Sequence, residues 1–307
     1  MISVDGLHKA FGARVAVEGL TFSVARGEVF GLLGPNGAGK TTTVRMLAGL
    51  LRPSGGHAEV AGFRLPLEGE GSEFRKHIGL LTEQPGLYDR LSARDNLRFF
   101  IKLHELDERA VWSRLEMWLE RFGLSGRADE PVGGFSKGMR QKLAIVRTLV
   151  HEPKVLFLDE PTSGLDPESA RVVRDSIAEL ASAGATVILC SHNLPEVERL
   201  CSRVAVVKNR LRTVASLTEL KKEGVALDVQ VEGEASRFIS VVTALPHEAR
   251  VHAEGSKLRV TMPNDAHTPE VIAALVAAGA RIHTATRAAR PLEEASIELV
   301  REEAEAA

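Results

Sequence analysis

Short, wholly apolar runs alternate with amphipathic stretches through the first two thirds of the chain. Val29–Leu33 is such a run and stops at Gly34; Val155–Leu158 and Ala185–Cys190 are two more. Runs of this length without polar alternation predict strands buried on both faces. Each is followed by residues at helical spacing: Thr41–Leu50, Pro167 to about Ala183, and Leu194–Cys201. Strand followed by helix, three times over, predicts a parallel sheet covered on both faces. In such sheets ligands bind beyond the carboxyl ends of the strands, so the residues at those ends carry the chemistry.

Between Gln84 and Val150 the pattern is helical. Ser92 and Asp95 form a capping pair that opens one helix. A second carries Val111, Leu115, Trp118, Leu119 and Phe122 on one stripe and stops at Gly123. Trp112 and Trp118 are both expected in the core. After Val214 the rhythm changes. Leu227, Val229 and Val231 alternate as a strand, and Phe238, Ile239, Val242 and Leu245 have helical spacing. Val251, Leu258 and Val260 flank a turn at Glu254-Gly255-Ser256. Val271, Ile272, Leu275 and Val276 are helical again up to Gly279, and Ile282, Thr284 and Thr286 alternate. The order β-α-β-β-α-β predicts a small ferredoxin-like domain. An amphipathic helix over Leu292–Val300 and a frayed end over Arg301–Ala307 are expected to follow.

Length and charge support this division. A chain of 307 residues is long enough for two domains. From Ala215 onward there are ten Lys and Arg against fifteen Asp and Glu, and before it twenty-nine against twenty-six. We therefore expect domains at 1–214 and 215–307. A net charge of −2 provides no global positive field for nucleic acid. Cys190 and Cys201 cannot build a disulfide scaffold and are expected to be reduced, partly buried thiols with no chemistry. No apolar run approaches the ~20 residues of a spanning helix, and Met1-Ile2-Ser3-Val4-Asp5 does not read as a secretory leader.

Gly34-Pro35-Asn36-Gly37-Ala38-Gly39-Lys40-Thr41 has the P-loop spacing, between the first apolar strand and the first helix. The glycines let backbone N–H groups curl around phosphate oxygens, and the helix turns its positive end toward the same anion. Lys40 adds a point charge and Thr41 a hydroxyl for Mg²⁺. Val155-Leu156-Phe157-Leu158-Asp159-Glu160 is the acidic counterpart. Asp159 is placed to hold the Mg²⁺ shell and Glu160 to polarise a water for attack on the γ-phosphorus.

Phe135-Ser136-Lys137-Gly138-Met139-Arg140-Gln141 precedes the acidic element, Ser163-Gly164-Leu165-Asp166 follows it, and Ser191-His192 comes later. With the P-loop, this order resembles the ATP-binding cassette (ABC) ATPases of membrane transporters over roughly Met1 to Val214. The form of the Phe135–Gln141 segment is most similar to the ATPase subunits of bacterial multidrug and antibiotic exporters. The run Leu292–Leu299 is similar to the C-terminal extension of that subgroup. The resemblance implies an α/β P-loop cassette with a mainly parallel core sheet, antiparallel N-terminal strands and a helical subdomain.

Residue by residue, the resemblance assigns Phe11 to stack on adenine. Gly34, Asn36, Gly37, Gly39, Lys40, Thr41 and Thr42 take the phosphates. Thr41 and Asp159 take Mg²⁺, Gln84 touches Mg²⁺ or the attacking water and senses the membrane subunit, and Glu160 and His192, with Lys40 and Gln84, serve hydrolysis. Ser136 and Gly138 bind the γ-phosphate held by the opposite protomer, and Asp166 links the two sites. Lys137 departs from the glycine many cassettes carry there. Structural alternatives stand beside these roles: Phe11 as core, Gln84 and His192 as loop residues, and Asp166-Pro167 as a helix cap and first turn.

The resemblance further implies ATP and Mg²⁺ as cofactors and a homodimer, or pseudo-symmetric dimer, of cassettes. It implies a separate integral membrane permease, no nucleic acid, and a place on the cytoplasmic face of the cell membrane. The competing readings are a soluble ABC ATPase acting on ribosomes or nucleic acid, and a regulator that binds ATP without hydrolysing it.

Overall fold

Two long antiparallel strands that the apolar pattern did not single out open the chain, β1 (Ile2–Phe11) and β2 (Arg14–Val24). Their pairing slips in register between Val4 and Leu7, Leu7 and Lys9, and Lys9 and Ala10. Such bulges break period-two alternation, which is why the sequence pattern hid them. The computed structural model describes residues 1–222, 225–246 and 249–289, and the chain divides into two units after Val214.

In the first unit β3 (Val29–Leu33) leads through the glycine loop into α1 (Lys40–Leu47), which ends short of Leu50. Then come β4 (Gly55–Val60), β5 (Phe63–Leu65), α2 (Gly71–Arg75) and β6 (Ile78–Leu81). A helical segment follows: α3 (Ala93–Leu103), α4 (Glu108–Arg121) and α5 (Lys137–Thr148). The unit closes with β7 (Val155–Asp159), α6 (Pro167–Ser182), β8 (Thr186–Cys190), α7 (Leu194–Leu200), β9 (Arg203–Lys208) and β10 (Arg210–Ser216).

The strands form one sheet in the order β5-β4-β1-β2-β10-β9-β3-β8-β7-β6. The β9-β3-β8-β7-β6 half is parallel, and the β5-β4-β1-β2 part is antiparallel. Every residue of β3, β7 and β8 is buried, as their uninterrupted apolar runs predict. Each large apolar side chain buried there contributes about 1.5–3 kcal/mol.

The helical segment begins as predicted. Ser92 Oγ accepts from the Asp95 N–H at 3.0 Å and donates to the Asp95 carboxylate at 2.7 Å. Val111, Leu115, Trp118, Leu119 and Phe122 are buried, and Gly123 turns the chain at φ 67°. Trp112 is a correction. It lies half-buried beside Arg94 and Arg98, whose guanidinium carbons stand 4.9 and 5.6 Å from its ring, and its indole N–H donates to Glu116. Its position next to Val111 turns it off the apolar stripe, and the two arginines cover it instead of the core.

In the second unit α8 (Leu217–Lys222) precedes β11 (Val225–Val231). Then follow α9 (Ile239–Thr243), β12 (Arg250–Glu254), β13 (Lys257–Met262), α10 (Thr268–Ala277) and β14 (Ile282–Ala289). The sheet order is β12-β13-β11-β14, antiparallel throughout. This is the ferredoxin-like arrangement the pattern predicts, over a core that includes Leu227, Phe238, Val260 and Leu275. Val276 departs from the expected stripe and is exposed. The expected helix over Leu292–Val300 lies outside the described residues.

The end of α3 meets the start of β7's loop through two imidazoles. His104 and His151 stack with ring centroids 3.9 Å apart, and His151 Nε2–H donates to the Ile78 carbonyl at 2.7 Å. His151 Nδ1 is buried without a partner. Burial, followed by the neighbouring His104, pushes the His151 pKa down to about 4. The folded protein therefore keeps this ring neutral, while the unfolded chain takes up a proton below the ordinary imidazole value. The contribution to stability is complete above about pH 6.5 and declines as pH falls toward 4. Urea unfolding should show a loss of about 1–2 kcal/mol from this site between pH 7 and 5. His151→Phe, which retains a ring for the stack, should flatten that slope; an unchanged slope would contradict the assignment.

Candidate functional site

The loop from β3 to α1 is built by glycines that nothing else could replace. Gly34 sits at φ 153°, and a Cβ there would lie 2.1 Å from the Val207 carbonyl oxygen. Gly39, the N-cap of α1 at φ 94°, would bring a Cβ within 2.5 Å of the Ala16 oxygen. The chain thus turns tightly and points the first N–H groups of α1 back over the loop. Asn209, on the turn between β9 and β10, ties the loop down by donating its backbone N–H to the Ala38 carbonyl at 3.0 Å. Lys40 Nζ donates to the Gly34 and Pro35 carbonyls at 2.6 and 3.0 Å, so the ammonium spans the loop.

In the first turn of α1, Thr41 Oγ1 donates to Asp159 Oδ2 at 3.2 Å. Asp159 ends β7 and is almost wholly buried. Burial pushes its carboxyl above the usual carboxylate range, the Thr41 hydroxyl opposes that, and the neighbouring Glu160 adds to it. A hydroxyl and a carboxylate converging on one point are hard oxygen donors of the kind Mg²⁺ takes, and a cation there would relieve the buried charge.

Glu160 follows in the left-handed region at φ 51°. Such a conformation costs about 1–3 kcal/mol in a non-glycine residue and persists only where its surroundings enforce it. Here the Glu160 N–H donates to the Cys190 carbonyl at 2.8 Å. The Glu160 carbonyl accepts from Gln141 Nε2 at 3.1 Å. The side chain is thereby aimed at the segment after β8. Its Oε1 accepts from the His192 backbone N–H at 2.9 Å and lies 2.7 Å from His192 Nδ1; its Oε2 accepts from Ser191 Oγ at 3.4 Å.

These groups share a cleft of about 550 Å³ lined by Phe11, Asn36 to Thr42, Asp159, Glu160 and His192. Phe11 is half-exposed, with Lys9 Nζ 5.1 Å from its ring centroid, so it is not a core residue. Gln84 does not line the cleft. It is exposed, its carbonyl accepts from the Thr82 hydroxyl, and its neighbour Glu83 lines the cleft instead. Ser136, Gly138 and Asp166 also lie outside the lining. Ser136 is exposed and caps α5, accepting from the Met139 N–H. The Lys137 stem rests on Gly164, and Gly138 faces the Gly164 carbonyl, so the two loops touch within one chain. Asp166 caps α6 by accepting from the Ser169 N–H at 2.9 Å. Arg14 and Ser163 join the lining without having been expected there, and Gln141 is a further supporting residue. Gln141 and Ser163 lay inside stretches the sequence marked; Arg14 did not.

The ABC transporter family profile matches residues 17–163. The chain is 43% identical over 248 residues to the daunorubicin resistance ATP-binding protein of Streptomyces coeruleorubidus, covering 80% of this chain and 78% of that one. This chain belongs to the ABC transporter ATPases. As an ABC cassette it binds and hydrolyses ATP. The linearmycin resistance ATP-binding protein of Bacillus subtilis (strain 168) is 32% identical over 287 residues, with 92% and 91% of the two chains covered. A solved ATP-binding subunit of an ABC transporter superposes with a TM-score of 0.68 at 33% identity, covering 72% of this chain and 92% of that one. Among the described residues no helix of this ABC subunit is long and apolar enough to cross a membrane.

Cys190 and Cys201 are free, buried thiols that flank this region in sequence. Burial pushes both well above the ordinary thiol value. A disulfide-exchange reagent at neutral pH should therefore leave both unmodified in the native protein and titrate both in denaturant. Rapid reaction of either thiol in the folded chain would contradict their enclosure.

Proposed function

We propose that this chain is the ATP-hydrolysing subunit of an exporter of drugs, antibiotics or lipid-like compounds, working as a dimer on a separate membrane permease. The observation that carries the reading is the convergence of Lys40, Thr41, Asp159, Glu160 and His192 on one cleft. The names of the relatives support export. They include the fluoroquinolones export ATP-binding protein of Mycobacterium tuberculosis (strain CDC 1551 / Oshkosh), 44% identical over 224 residues with 72% of each chain covered.

In this reading Phe11 offers a ring face to adenine, and the P-loop with Lys40 and Thr42 holds the phosphates. Thr41 and Asp159, with Gln84 as the resemblance assigns it, would hold Mg²⁺. Bound Mg²⁺ neutralises charge on the phosphate oxygens. Glu160 orients the attacking water and accepts its proton, and His192 contacts the γ-phosphate. Ser136 and Gly138 complete the site of a second copy, and Asp166 connects the two sites. ATP binding closes the dimer and hydrolysis reopens it. The exposed Tyr88 and Phe99, with ring centroids 4.8 Å apart, support Gln84–Asn96 as the place where the permease docks. That contact would hold the chain on the cytoplasmic face of the membrane. The net charge of −2 weighs against a ribosomal or nucleic-acid role, and the retained Asp159, Glu160 and His192 weigh against a non-hydrolysing regulator.

Glu160→Gln should keep ATP binding while turnover falls by about 10²-fold or more, the scale of a lost general base. It should also accumulate as an ATP-bound dimer by size-exclusion chromatography with light scattering. Lys40→Ala should lose nucleotide affinity, and Ser136→Arg should bind ATP but stay monomeric. Unimpaired turnover by Glu160→Gln would remove Glu160 from the reaction. A chain truncated after Val214 should still bind ATP, because every nucleotide motif precedes that point. A well-folded truncated chain with no nucleotide affinity would give the second unit a part in the site.

A further inference from the structure

Glu196 stands in the first turn of α7 with 1% of its surface exposed. A carboxyl so enclosed is rare without a compensating partner. Its Oε2 lies 2.8 Å from Ser191 Oγ, and its Oε1 is buried with no hydrogen-bond partner. Nothing in the proposed hydrolytic roles uses it.

Ser191 Oγ is where this buried acid meets the catalytic region. It accepts from the Asn193 N–H at 3.1 Å, and it lies 2.8 Å from Glu196 Oε2 and 3.4 Å from Glu160 Oε2. A serine hydroxyl has one hydrogen and two lone pairs. Facing two ionised carboxylates, it can serve only one, and the other would confront its lone pairs. A proton on Glu196 resolves the conflict. Glu196 then donates to Ser191 Oγ, Asn193 N–H fills the second lone pair, and the serine hydrogen goes to Glu160 Oε2. Every donor and acceptor position on Oγ is used once. The unpartnered Oε1 agrees, because an uncharged carbonyl-type oxygen is far less costly to bury unpaired than an ionised one. Burial pushes the Glu196 carboxyl upward and Glu160 adds to that, while the Ser191 and Thr162 hydroxyls and Arg174 oppose it.

We propose that Glu196 is a positioning residue for hydrolysis: neutral and buried, it donates to Ser191 Oγ and so commits the serine hydrogen to Glu160 Oε2. With the His192 N–H on Oε1 and Ser191 on Oε2, the Glu160 carboxylate is held at both oxygens and cannot swing about its last torsion. The inference rests on reading Glu160 as the residue that handles the attacking water.

The test uses the full-length chain. Ser191→Ala and Glu196→Leu should each lower kcat about tenfold while KM and affinity for ATP stay unchanged, the pattern of a misaligned reacting group. Glu196→Gln, whose amide N–H donates to Ser191 as the acid does, should restore kcat to within about threefold of the parent. Combined with Glu160→Gln, Glu196→Leu should cause no further loss. The infrared difference spectrum of the parent minus Glu196→Gln at neutral pH should contain a carboxylic-acid C=O band. Absence of that band overturns the proposal, as does parental kcat in either Ser191→Ala or Glu196→Leu. Equal loss of ATP affinity and kcat in both variants also overturns it, by making the role one of folding alone. Parental turnover in Glu160→Gln is a different result, because it defeats the reading of Glu160 whatever Glu196 does.

Discussion

The site depends on where three buried parallel strands end. β3, β8 and β7 lie side by side with all their residues enclosed and with β9 and β6 on either side, so their backbone groups are satisfied within the sheet and their register is fixed. Asp159 pairs with Cys190 across β7 and β8, which places Glu160 next to Ser191 and His192. The same edge receives the glycine loop after β3, and the Thr41–Asp159 hydrogen bond closes the arrangement across 118 positions of sequence. A slip of one residue in β7 would turn Asp159 to the opposite face and separate every one of these groups.

The edge brings several unfavourable conformations and buried acids together in one place. Glu160 holds a left-handed backbone, Asp159 carries a carboxyl raised by burial, and Glu196 is enclosed without an ion pair to balance it. Each is unfavourable by itself, on the order of 1–3 kcal/mol for the backbone alone. They persist because the hydrophobic cluster beneath, which includes Phe30, Val155, Phe157 and Ile188, is far larger in total than any one of these costs. The hydrogen bonds to Cys190, Gln141, Ser191 and Asn193 leave no relaxed alternative without exposing buried polar atoms.

What the sequence disclosed and what it withheld follow from the range of the signal. Apolar runs such as Val155–Leu158 and the glycine spacing of the P-loop are local, so both the central strands and the phosphate loop could be read directly. The alternation in β11, β13 and β14 was equally local, and it yielded the antiparallel second unit. β1 and β2 escaped the apolar pattern because bulges spoil their alternation, and their presence was implied only by the family resemblance. Trp112 was misplaced because its bulk suggested the core, whereas the angular position beside Val111 and the arginines at 94 and 98 decide its surroundings. Glu196 had no signal as a partner of Glu160, since only the pairing of β7 with β8 brings the residues after each strand together. Gln84 and Glu83 differ by one position, and in a loop no periodicity indicates which of them faces the cleft.

One helix ties the parts of the cassette together by polar contacts the apolar pattern does not reveal. α5 begins at the Ser136 cap, and a turn later Gln141 donates to the carbonyls of Glu160 and Pro161 at 3.1 Å each. Two turns further on, Arg147 donates to the carbonyls of Leu80 and Gly86 at 3.0 and 3.3 Å, on either side of Gln84, and lies 5.2 Å from the Phe100 ring of α3. Burial draws the Arg147 guanidinium below its usual value, so breaking these bonds would leave an enclosed charge unsatisfied. Both sets of contacts therefore resist stretching. The Glu160 turn and the segments on either side of Gln84 are thus hydrogen-bonded to one helix, which begins at the exposed Ser136 turn.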